Sequence, residues 1–353
     1  MTTKELVLNA LSNSINTPVS GQALADSCKV SRTAIWKAIN SLREEGCQIE
    51  GTTNGGYLLK ETPDILNEQT FASQFGKDFP EFSGLYCQCF KSIDSTNTYA
   101  KKILTQDGTG FLTRIEKSKG AFAVIIAESQ TAGRGRLGRT FVSPQKTGLY
   151  LSIIYSPDGG ISNPAILTTA SAVAVCWAIK KLYNKETSIK WINDIFLNNK
   201  KICGILTEGF TNFETGAIDS AIIGIGININ QNTKDFSEEL LKTAGSICND
   251  KTDSATRTQL ASLVTGEVIN IFNQEQDSII SEYKSRSFLI GKEVEVHPVI
   301  GDTSKIYKAK VLDINNEANL VVQSQDGEIK ALSSGEVSLK SDLFTSDKNS
   351  SGS

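Results

Sequence analysis

The stretch TAGRGRLGRTF, residues 131–141, holds three glycines and three arginines within seven consecutive positions. Its GxGxxG spacing is that of a dinucleotide-binding turn, in which a helix follows the loop directly because the helix N-terminus binds the pyrophosphate. Here a strand-like run precedes the loop, but Ser143-Pro144 leads into a second strand-like run. The Rossmann interpretation therefore fails. We predict a basic loop between two strands that can wrap a phosphate or carboxylate with its three arginines, Arg134, Arg136 and Arg139.

Strand and helix signals alternate on both sides of this loop. Strand-like apolar runs are found at 121–128, 148–155, 188–197, 201–208 and 221–229. Asn163-Pro164 predicts the start of a long helix, because proline is favoured at the first helical position. A second long helix is expected from about residue 258 to residue 283. The pattern predicts an α+β fold, with a mixed sheet backed by helices, over residues 65–286.

The segment IKWINDIFLNNKKICGILTEG, residues 189–209, carries the second charged cluster. If residues 190–194 are extended, alternation places Lys190, Ile192 and Asp194 on one face, and Asn198-Asn199 turns the chain back along KICGIL. A lysine beside a carboxylate on a rigid strand suits phosphoryl-type chemistry, and the alternative is a surface ion pair on a hairpin. A third polar stretch, DSTNTYA at 94–100, could line a pocket or merely cap a helix.

Residues 1–62 form a separate unit in the sequence pattern. Three helical segments, two of them preceded by the capping residues Ser20 and Ser31, are followed by an alternating run around Asn54-Gly55, a strong hairpin signal. This order predicts a winged helix-turn-helix. Residues 29–43 contain four basic residues and no acidic one, so DNA binding is favoured over an interaction module with solvated charges. The residues expected to face DNA are Ser31, Arg32, Thr33, Trp36 and Lys37.

Beyond residue 286 the pattern changes to short alternating strands. They are joined by tight turns at Asn315-Asn316 and Asp326-Gly327. This pattern of short alternating strands over residues 287–341 predicts a small β-barrel. Residues 342–353 are expected to be a disordered tail. The chain is therefore predicted to be multidomain, with boundaries near residues 62 and 286.

Composition narrows the classes of function. The 353 residues carry a net charge of −3, so affinity for nucleic acid must come from a local patch. The seven cysteines form no CxxC pair, which favours reduced thiols and a cytoplasmic location. The single histidine, His297, lies far in sequence from the charged clusters, so triad chemistry is disfavoured. Without a signal-peptide pattern or an apolar run of about 18 residues, secretion and membrane association are not expected.

Together these segments resemble the biotin protein ligases, specifically the type that also represses the biotin operon. The resemblance covers nearly the whole chain and rests on the winged helix and on six motifs: DSTN at 94–97, ESQTAGRGRLGR at 128–139, IKWIND at 189–194, KICGIL at 201–206, GIGININ at 224–230 and SGEVSL at 334–339. It implies a central ligase domain with a class II synthetase-like fold. It also implies two steps: the carboxylate of biotin attacks the α-phosphate of ATP to give biotinoyl-5′-adenylate, and a carrier-protein lysine then takes the biotinoyl group.

The resemblance also implies roles for the residues that match the motifs. The implied catalytic residues are Lys190, Arg134 and Arg136. The implied biotin-binding residues are Ser95, Thr96, Asn97, Gln130, Arg134, Gly135, Arg136, Lys190 and Gly204. The implied ATP-binding residues are Arg136, Arg139, Asn193, Asp194 and Asn228, with Asp194 also the candidate for Mg²⁺. Two positions depart from the family: Ile192 stands where proline is common, and Phe141 where tryptophan is common.

The implied cofactors are ATP and Mg²⁺, with biotin as substrate. The implied partners are a biotin carboxyl carrier protein, belonging to acetyl-CoA carboxylase or another biotin-dependent carboxylase, and operator DNA. A homodimer is expected on binding of the adenylate or of DNA. Two alternatives stay open: a transcription regulator that senses a ligand without turnover, and a lipoate-type protein ligase, although lipoate ligases generally lack the GRGRxGR loop.

Overall fold

The computed structural model of the chain describes residues 2–44, 47–52, 55–60, 64–106, 122–211, 216–230, 236–248, 256–298 and 305–339. The chain divides into two units, Met1–Ile65 and Leu66–Ser353. The expected tail, 342–353, and residue 62, near which the first domain boundary is expected, lie outside the described residues. The expected boundary near residue 286 falls inside the second unit and stays a prediction.

The first unit has the element order that its sequence predicts. Its elements are α1 (Thr3–Ser12), α2 (Gly21–Cys28), α3 (Arg32–Glu44), β1 (Ile49–Thr52) and β2 (Gly56–Leu59). The Ser20 hydroxyl accepts a hydrogen bond from the Ala23 amide, and the Ser31 hydroxyl accepts one from the Ala34 amide, so both serines cap helices as predicted. The two strands pair antiparallel, and Asn54, in the predicted turn between them, lies outside the described residues.

The second unit is built on a seven-stranded mixed sheet. In chain order its strands are β3 (Tyr86–Phe90), β4 (Phe122–Ala127), β5 (Gly148–Tyr155), β6 (Ser188–Lys190), β7 (Asp194–Leu197), β8 (Lys200–Thr211) and β9 (Ile218–Asn228). Their spatial order is β3-β4-β5-β9-β8-β7-β6. β3 and β4 are parallel, and every other neighbouring pair is antiparallel. The accompanying helices are α4 (Glu68–Asp78), α5 (Thr96–Gln106), α6 (Pro164–Tyr183), α7 (Glu238–Thr243), α8 (Arg257–Phe272) and α9 (Gln276–Arg286).

Helices cover both faces of the middle of this sheet. On one face, α6 and α8 pack against apolar side chains such as Val124 and Ile223. On the other face, Ala100 and Leu104 of α5 pack against Ile125 and Ile222. Because both faces are buried, β4 and β9 read in the sequence as continuous apolar runs without alternation. The α5 helix covers only part of its face, and the candidate site lies beside it.

The single strand predicted at 188–197 is wrong. The structure has two antiparallel strands, β6 and β7, joined by a tight turn at 191–193. Long-range hydrogen bonds hold this turn: Trp191 Nε1 donates to the Ala318 carbonyl at 2.8 Å, and the Tyr283 hydroxyl donates to the Ile192 carbonyl at 3.0 Å. The Trp191–Ile192 peptide bond is cis. Lys190 and Asp194 therefore share a face because they pair across two strands, not because they alternate along one.

The continuous helix predicted at about 258–283 is also wrong. The structure has two helices, α8 and α9, separated at residues 273–275. Asn273 ends α8, and its side-chain amide donates to the Ile269 carbonyl at 2.9 Å. A side chain that bonds a carbonyl of the preceding turn competes with continuation of the helix. The apolar periodicity of the segment continues across this break, which explains the error.

The predicted C-terminal barrel takes the form of a five-stranded antiparallel sheet. Its strands are β10 (Glu293–His297), β11 (Tyr307–Ile314), β12 (Leu320–Ser324), β13 (Ile329–Leu332) and β14 (Glu336–Ser338), in the spatial order β13-β12-β11-β10-β14. Val294, Val311 and Leu320 are buried in the same apolar core as the helices of the second unit. The small sheet therefore packs continuously with the larger one.

The thiols are as predicted. All seven cysteines are free, and five are buried. Burial raises the pKa of the Cys176 thiol to about 11, so this group stays protonated and unreactive at neutral pH. One helix in the described part of the chain, α6, is long and apolar enough to cross a membrane by length and composition alone, but 67% of its apolar window is buried inside the protein.

Packing between α4 and α8 gives a stability prediction. A Cβ built at Gly266 on α8 would overlap the Phe79 ring. We expect Gly266→Ala to lower the free energy of unfolding by about 1–3 kcal/mol, the usual cost of overpacking. The control is Gly76→Ala on α4, where a Cβ meets nothing within 4 Å and better helix propensity should raise stability by up to about 1 kcal/mol. Urea unfolding measures both, and a Gly266→Ala protein as stable as Gly76→Ala would contradict this packing.

Candidate ligand-binding site

Sheet register brings residues from five strands into one row on the face that carries α5. Lys190 pairs with Asp194, Asp194 pairs with Gly204, and Gly204 pairs with Gly226. Gly226 also pairs with Tyr150 on β5. Directly paired residues point to the same face of a sheet. The row therefore runs from a lysine and an aspartate, across two glycines, to a tyrosine.

We call Gly204, Gly224 and Gly226 the glycine floor, since all three lie on this face of β8 and β9. A Cβ at Gly226 would come within 2.6 Å of the Phe141 ring, and one at Gly204 would lie 3.5 Å from it. A Cβ at Gly224 would overlap the amide of Asn97. Only glycine at positions 224 and 226 therefore lets α5 and the loop containing Phe141 approach the sheet this closely.

The basic loop, residues 131–141, leaves one strand and returns towards another, as predicted. It is closed by its own backbone: the Phe141 amide donates to the Gly133 carbonyl at 2.9 Å, and the Gly135 amide donates to the Arg139 carbonyl at 2.7 Å. At the tip, Leu137 has φ 61° and Gly138 has φ 76°. Leu137 is 53% exposed. The loop thus forms a small hairpin lying over the glycine floor.

Two of the three loop arginines bond to the sheet. Arg134 Nη1 donates to Glu208 Oε2 at 3.1 Å, and Arg134 Nη2 lies 3.1 Å from Glu208 Oε1. Arg136 Nη1 donates to Asn193 Oδ1 at 3.0 Å. The third arginine, Arg139, is exposed. The first two arginines therefore attach the loop to two different parts of the site.

The DSTN stretch lies at the start of α5, with Ser95, Thr96 and Asn97 buried. The Thr96 amide and hydroxyl both donate to Gln130 Oε1, at 2.9 and 3.2 Å. Ser152 Oγ lies 2.7 Å from Thr96 Oγ1 and 2.6 Å from Asn97 Oδ1. The acceptor for the Thr96 amide is thus a side chain from the basic-loop segment. These residues form a buried polar wall, which a simple helix cap would not require.

Lys201 belongs to this site, although sequence reasoning missed it. Its Nζ lies 2.7 Å from Asp194 Oδ1 and 3.4 Å from the position of a Cβ on Gly204. The register shift between Ile195 and Phe196 places Lys201 opposite Phe196. Strict alternation back from Gly204 would put Lys201 on the opposite face. A β-bulge, which pattern counting does not detect, brings it into the site.

Glu208 was also missed, because its partners are distant in the sequence. Asn97 Nδ2 donates to Glu208 Oε2 at 2.8 Å across 111 residues, and Arg134 bonds to it across 74 residues. Glu208 lies on β8 opposite Ile222, on the same face as the glycine floor. The TEG that follows KICGIL gives no local signal for this contact.

The remaining predicted residues lie around this centre. Asn193, in the 191–193 turn, accepts from Arg136 and donates through Nδ2 to the Ile205 carbonyl at 3.0 Å. Asn228 lies one row beyond Gly226, and its Nδ2 donates to the Gly245 carbonyl at 3.1 Å. The structure therefore brings Asn193 into the site and directs the Asn228 amide to a neighbouring segment. Within the described ranges, no group of three or more His, Cys, Asp or Glu side chains is placed to hold a metal ion.

Buried titratable groups next to the site are held in their neutral forms. Burial raises the pKa of the Cys203 thiol, beside Gly204, well above its ordinary value. Burial likewise raises the pKa of Tyr283, whose hydroxyl holds the 191–193 turn. Cys203 is therefore a poor nucleophile, and Tyr283 remains a hydrogen-bond donor.

In the first unit, the five residues expected to face DNA are all exposed. A cleft of about 650 Å³ is lined by Arg32, Thr33 and Trp36 of α3 and by Gly56 and Tyr57 of the hairpin. Trp36 is 56% exposed. The recognition-helix candidate and the hairpin therefore present one continuous surface.

Known proteins with this fold define the class. The model of the "Biotin/lipoate A/B protein ligase family" matches residues 89–228, and an "HTH domain" model matches residues 3–58. The solved "Biotin protein ligase from Aquifex aeolicus in complex with biotin and ATP" is 24% identical, has a TM-score of 0.57, and covers 72% of this chain and 97% of its own. At this identity the likeness shows the fold. The class is thus a protein ligase fold with an N-terminal helix-turn-helix.

Full-length relatives define the family more closely. "Bifunctional ligase/repressor BirA" of Bacillus spizizenii is 31% identical over 91% of this chain and 94% of the relative. The protein of the same name from Escherichia coli K12 is 29% identical over 91% of this chain and 93% of the relative. The chain belongs to this family of bifunctional ligase/repressors, which confirms the resemblance carried by the motifs.

A substitution in the glycine floor tests the loop's contact. Gly226→Ala should push Phe141 off the floor, because the new Cβ would lie 2.6 Å from its ring. The amides of Gly135 and Phe141, bonded inside the loop, should then exchange with deuterium about tenfold faster, since local opening becomes easier. Gly76→Ala on α4 is the control. Unchanged protection of both amides in Gly226→Ala would show that the ring does not hold the loop.

Proposed function

We propose that the chain is an ATP-dependent biotin protein ligase. It forms biotinoyl-5′-adenylate and transfers biotin to a specific lysine of a biotin carboxyl carrier protein. The observation that carries the proposal is the glycine floor, covered by a basic loop and flanked by lysines on stiff strands, in a chain of the ligase/repressor family. Its N-terminal unit makes it a biotin-responsive transcriptional repressor as well.

The residues of the site suit this chemistry. The carboxylate of biotin is already ionised at pH 7, because carboxyl pKa values lie near about 4, so adenylate formation needs no general base. The single histidine is consistent with this, since His297 contacts Ser338 in the small sheet. What the reaction does need is neutralisation of phosphate charge and alignment of the two reactants. Arg136, Lys190 and Lys201 supply cations from three different segments around the floor.

We assign the biotin pocket to the polar wall and the floor. Thr96, Asn97 and Gln130 are fixed by side-chain hydrogen bonds before a ligand enters, and Ser95 is buried beside them. A fixed polar group discriminates among ligands better than a mobile one. Gly204 leaves space for a ring to lie flat on the sheet. Gly135 lets the loop backbone approach the ligand.

We assign the nucleotide to the side of the site that carries the 191–193 turn. The proposed residues are Arg136, Arg139, Asn193, Asp194 and Asn228. Asp194 fits a Mg²⁺ ion brought in with ATP, because Mg²⁺ is usually held by one or two carboxylates together with substrate phosphates. Such an ion would neutralise phosphate charge, and the Asp194 carboxylate now paired with Lys201 would help to hold it.

The proposed partners follow from the two units. The second unit acts on a carrier domain of a biotin-dependent carboxylase, and the first binds operator DNA through α3. Ordering of the basic loop by the adenylate would favour a homodimer able to bind DNA, since a ligand shifts an equilibrium by its differential affinity for the two states. The free cysteines are consistent with a cytoplasmic location.

Removing a strand lysine tests the ligase function. With ATP, biotin and a purified carrier domain, the carrier should gain the mass of one biotinoyl group. Lys190→Ala and Lys201→Ala should each slow pyrophosphate release at least about a hundredfold, the usual effect of losing a preplaced transition-state donor. Lys180→Ala removes an exposed lysine paired with Glu186 and should leave the rate unchanged. An unmodified carrier would indicate a regulator without turnover, and transfer of lipoate but not of biotin, in a parallel assay supplied with lipoate, would indicate a lipoate-type ligase.

Arg32→Ala tests the repressor function. Loss of a phosphate contact should weaken binding to operator and non-operator DNA alike. It should also reduce the slope of log affinity against log salt by about one. Gel shifts at several salt concentrations, with and without biotin and ATP, measure this. Lys180→Ala, which loses the same charge on the second unit, is the control. Equal affinities and slopes for the two variants would contradict DNA binding through α3.

A further inference from the structure

Glu208 is the one carboxylate that the structure places in contact with both the polar wall and the basic loop in the described part of the site. It lies on β8, opposite Ile222 of β9, and its side chain is only 24% exposed. Sequence analysis gives it no role. Its contacts link the polar wall, through Asn97, to the basic loop, through Arg134.

The rigid side of the contact is fixed by a chain of hydrogen bonds. Ser152 Oγ on β5 lies 2.6 Å from Asn97 Oδ1, and Asn97 Nδ2 donates to Glu208 Oε2 at 2.8 Å. Gly224 supplies the backbone surface against which the Asn97 amide packs. The Glu208 carboxylate is therefore held in one orientation before the loop reaches it.

The loop side of the contact is a bidentate ion pair. Both terminal nitrogens of Arg134 lie 3.1 Å from Glu208 oxygens. One charge-assisted hydrogen bond and a second charged contact to the same carboxylate fix direction as well as distance. Arg134 lies at the start of the loop hairpin, where its backbone forms an antiparallel bridge with Thr140. Fixing the Arg134 side chain therefore fixes the base of the loop.

Arg134 and Arg136, the two loop arginines that contact the sheet or its 191–193 turn, differ in what compensates their charge. The Glu208 carboxylate neutralises Arg134, whereas the bond from Arg136 goes to the neutral amide of Asn193. An anionic ligand would have to displace a carboxylate to reach Arg134, but only an amide to reach Arg136. The geometry thus favours Arg136 as the ligand cation and Arg134 as the tether of the loop.

We propose that Glu208 is a positioning residue that holds the loop 131–141 closed over the glycine floor through Arg134. The part of this proposal that concerns catalysis rests on the proposed ligase function. There, the closed loop retains the adenylate until a carrier lysine arrives. Glu208 touches neither reacting atom, and it sets how often the loop opens.

Limited proteolysis of the ligand-free protein tests the tether without any assumption about activity. Trypsin cleavage after Arg139 is followed by mass spectrometry in the wild type, Glu208→Gln, Arg134→Met and the double variant. When opening is fast relative to cleavage, the rate reports the population of the open loop. Because Arg134 is 45% exposed, solvent screens the pair, and we expect each single variant to be cleaved roughly five- to tenfold faster.

The double variant distinguishes a tether from general loosening. If Glu208 acts through Arg134, the double variant is cleaved no faster than either single variant, because the same interaction is lost. A double variant whose increase in cleavage rate is the product of the two single increases would overturn the proposal. An unchanged cleavage rate in Arg134→Met would overturn it as well. Arg134→Met alters an exposed side chain, so its cleavage rate tests the tether even if Glu208→Gln does not fold. Glu186→Gln, which removes the charge of an exposed glutamate paired with Lys180, should match the wild type.

A second measurement addresses the catalytic consequence. Release of radiolabelled biotinoyl-adenylate from the loaded protein should be roughly tenfold faster in Glu208→Gln, while the maximal rate of pyrophosphate release falls much less. A fall in that maximal rate with unchanged adenylate release would overturn the positioning role. If the wild type forms no adenylate, the ligase proposal fails, and the proteolysis result still decides whether Glu208 holds the loop.

Discussion

The absence of side chains at Gly204, Gly224 and Gly226 is the constraint on which the arrangement of this site depends. A Cβ at position 224 would overlap Asn97, and one at position 226 would lie 2.6 Å from the Phe141 ring. The first of these contacts sets how close α5 comes to the sheet, and the second sets how close the basic loop comes. Hydrogen bonds could tolerate a shift of a few tenths of an ångström, but these overlaps could be relieved only by moving the Asn97 and Phe141 side chains in a closely packed site. The glycines therefore fix the depth of the pocket, and the polar wall and the loop are positioned relative to them.

The cationic side chains of the site lie on segments of two kinds, rigid strands and a loop. Lys190 and Lys201 lie on paired strands, where neighbouring strands or the adjacent turn fix the backbone. Arg134 and Arg136 lie on the loop, and each bonds to one residue of the sheet or its turn. Arg134 and Lys201 are each paired with a carboxylate, which lowers the cost of holding them partly out of water before a ligand arrives. A ligand that carries a carboxylate and phosphates then meets preplaced strand cations on one side and a closing loop on the other. This division suits a reaction that needs both a fixed geometry and access for a second protein.

Local signals in the sequence were sufficient at several helix starts and tight turns, although they missed the local break between α8 and α9 at Asn273. Asn163-Pro164 starts α6, with the Asn163 side chain accepting from the Ala165 amide. Asn198 and Asn199 both adopt positive φ, 51° and 62°, in the two-residue turn between β7 and β8, as their residue type predicts. The sequence failed where the decision is made by distant residues. The 191–193 turn depends on Tyr283 and Ala318, Lys201 depends on a bulge that reverses its face, and Glu208 depends on partners from α5 and the loop. The motifs located most of the site, but the residues that hold its parts together carry no motif.

The 191–193 turn shows how the small C-terminal sheet contributes to a site that it does not line. The Trp191 indole donates to the Ala318 carbonyl, at the turn before β12, and the buried Tyr283 hydroxyl donates to the Ile192 carbonyl. Losing either acceptor would leave a buried donor unpaired, at a cost of about 1–3 kcal/mol, so the turn and the small sheet move together. Asn193, the last residue of that turn, accepts from Arg136 and donates to Ile205. The position of the loop cation is therefore set by three segments, β8, α9 and the turn before β12. Packing between the two sheets is thus part of the construction of the site, even though the sequence texture changes abruptly between them.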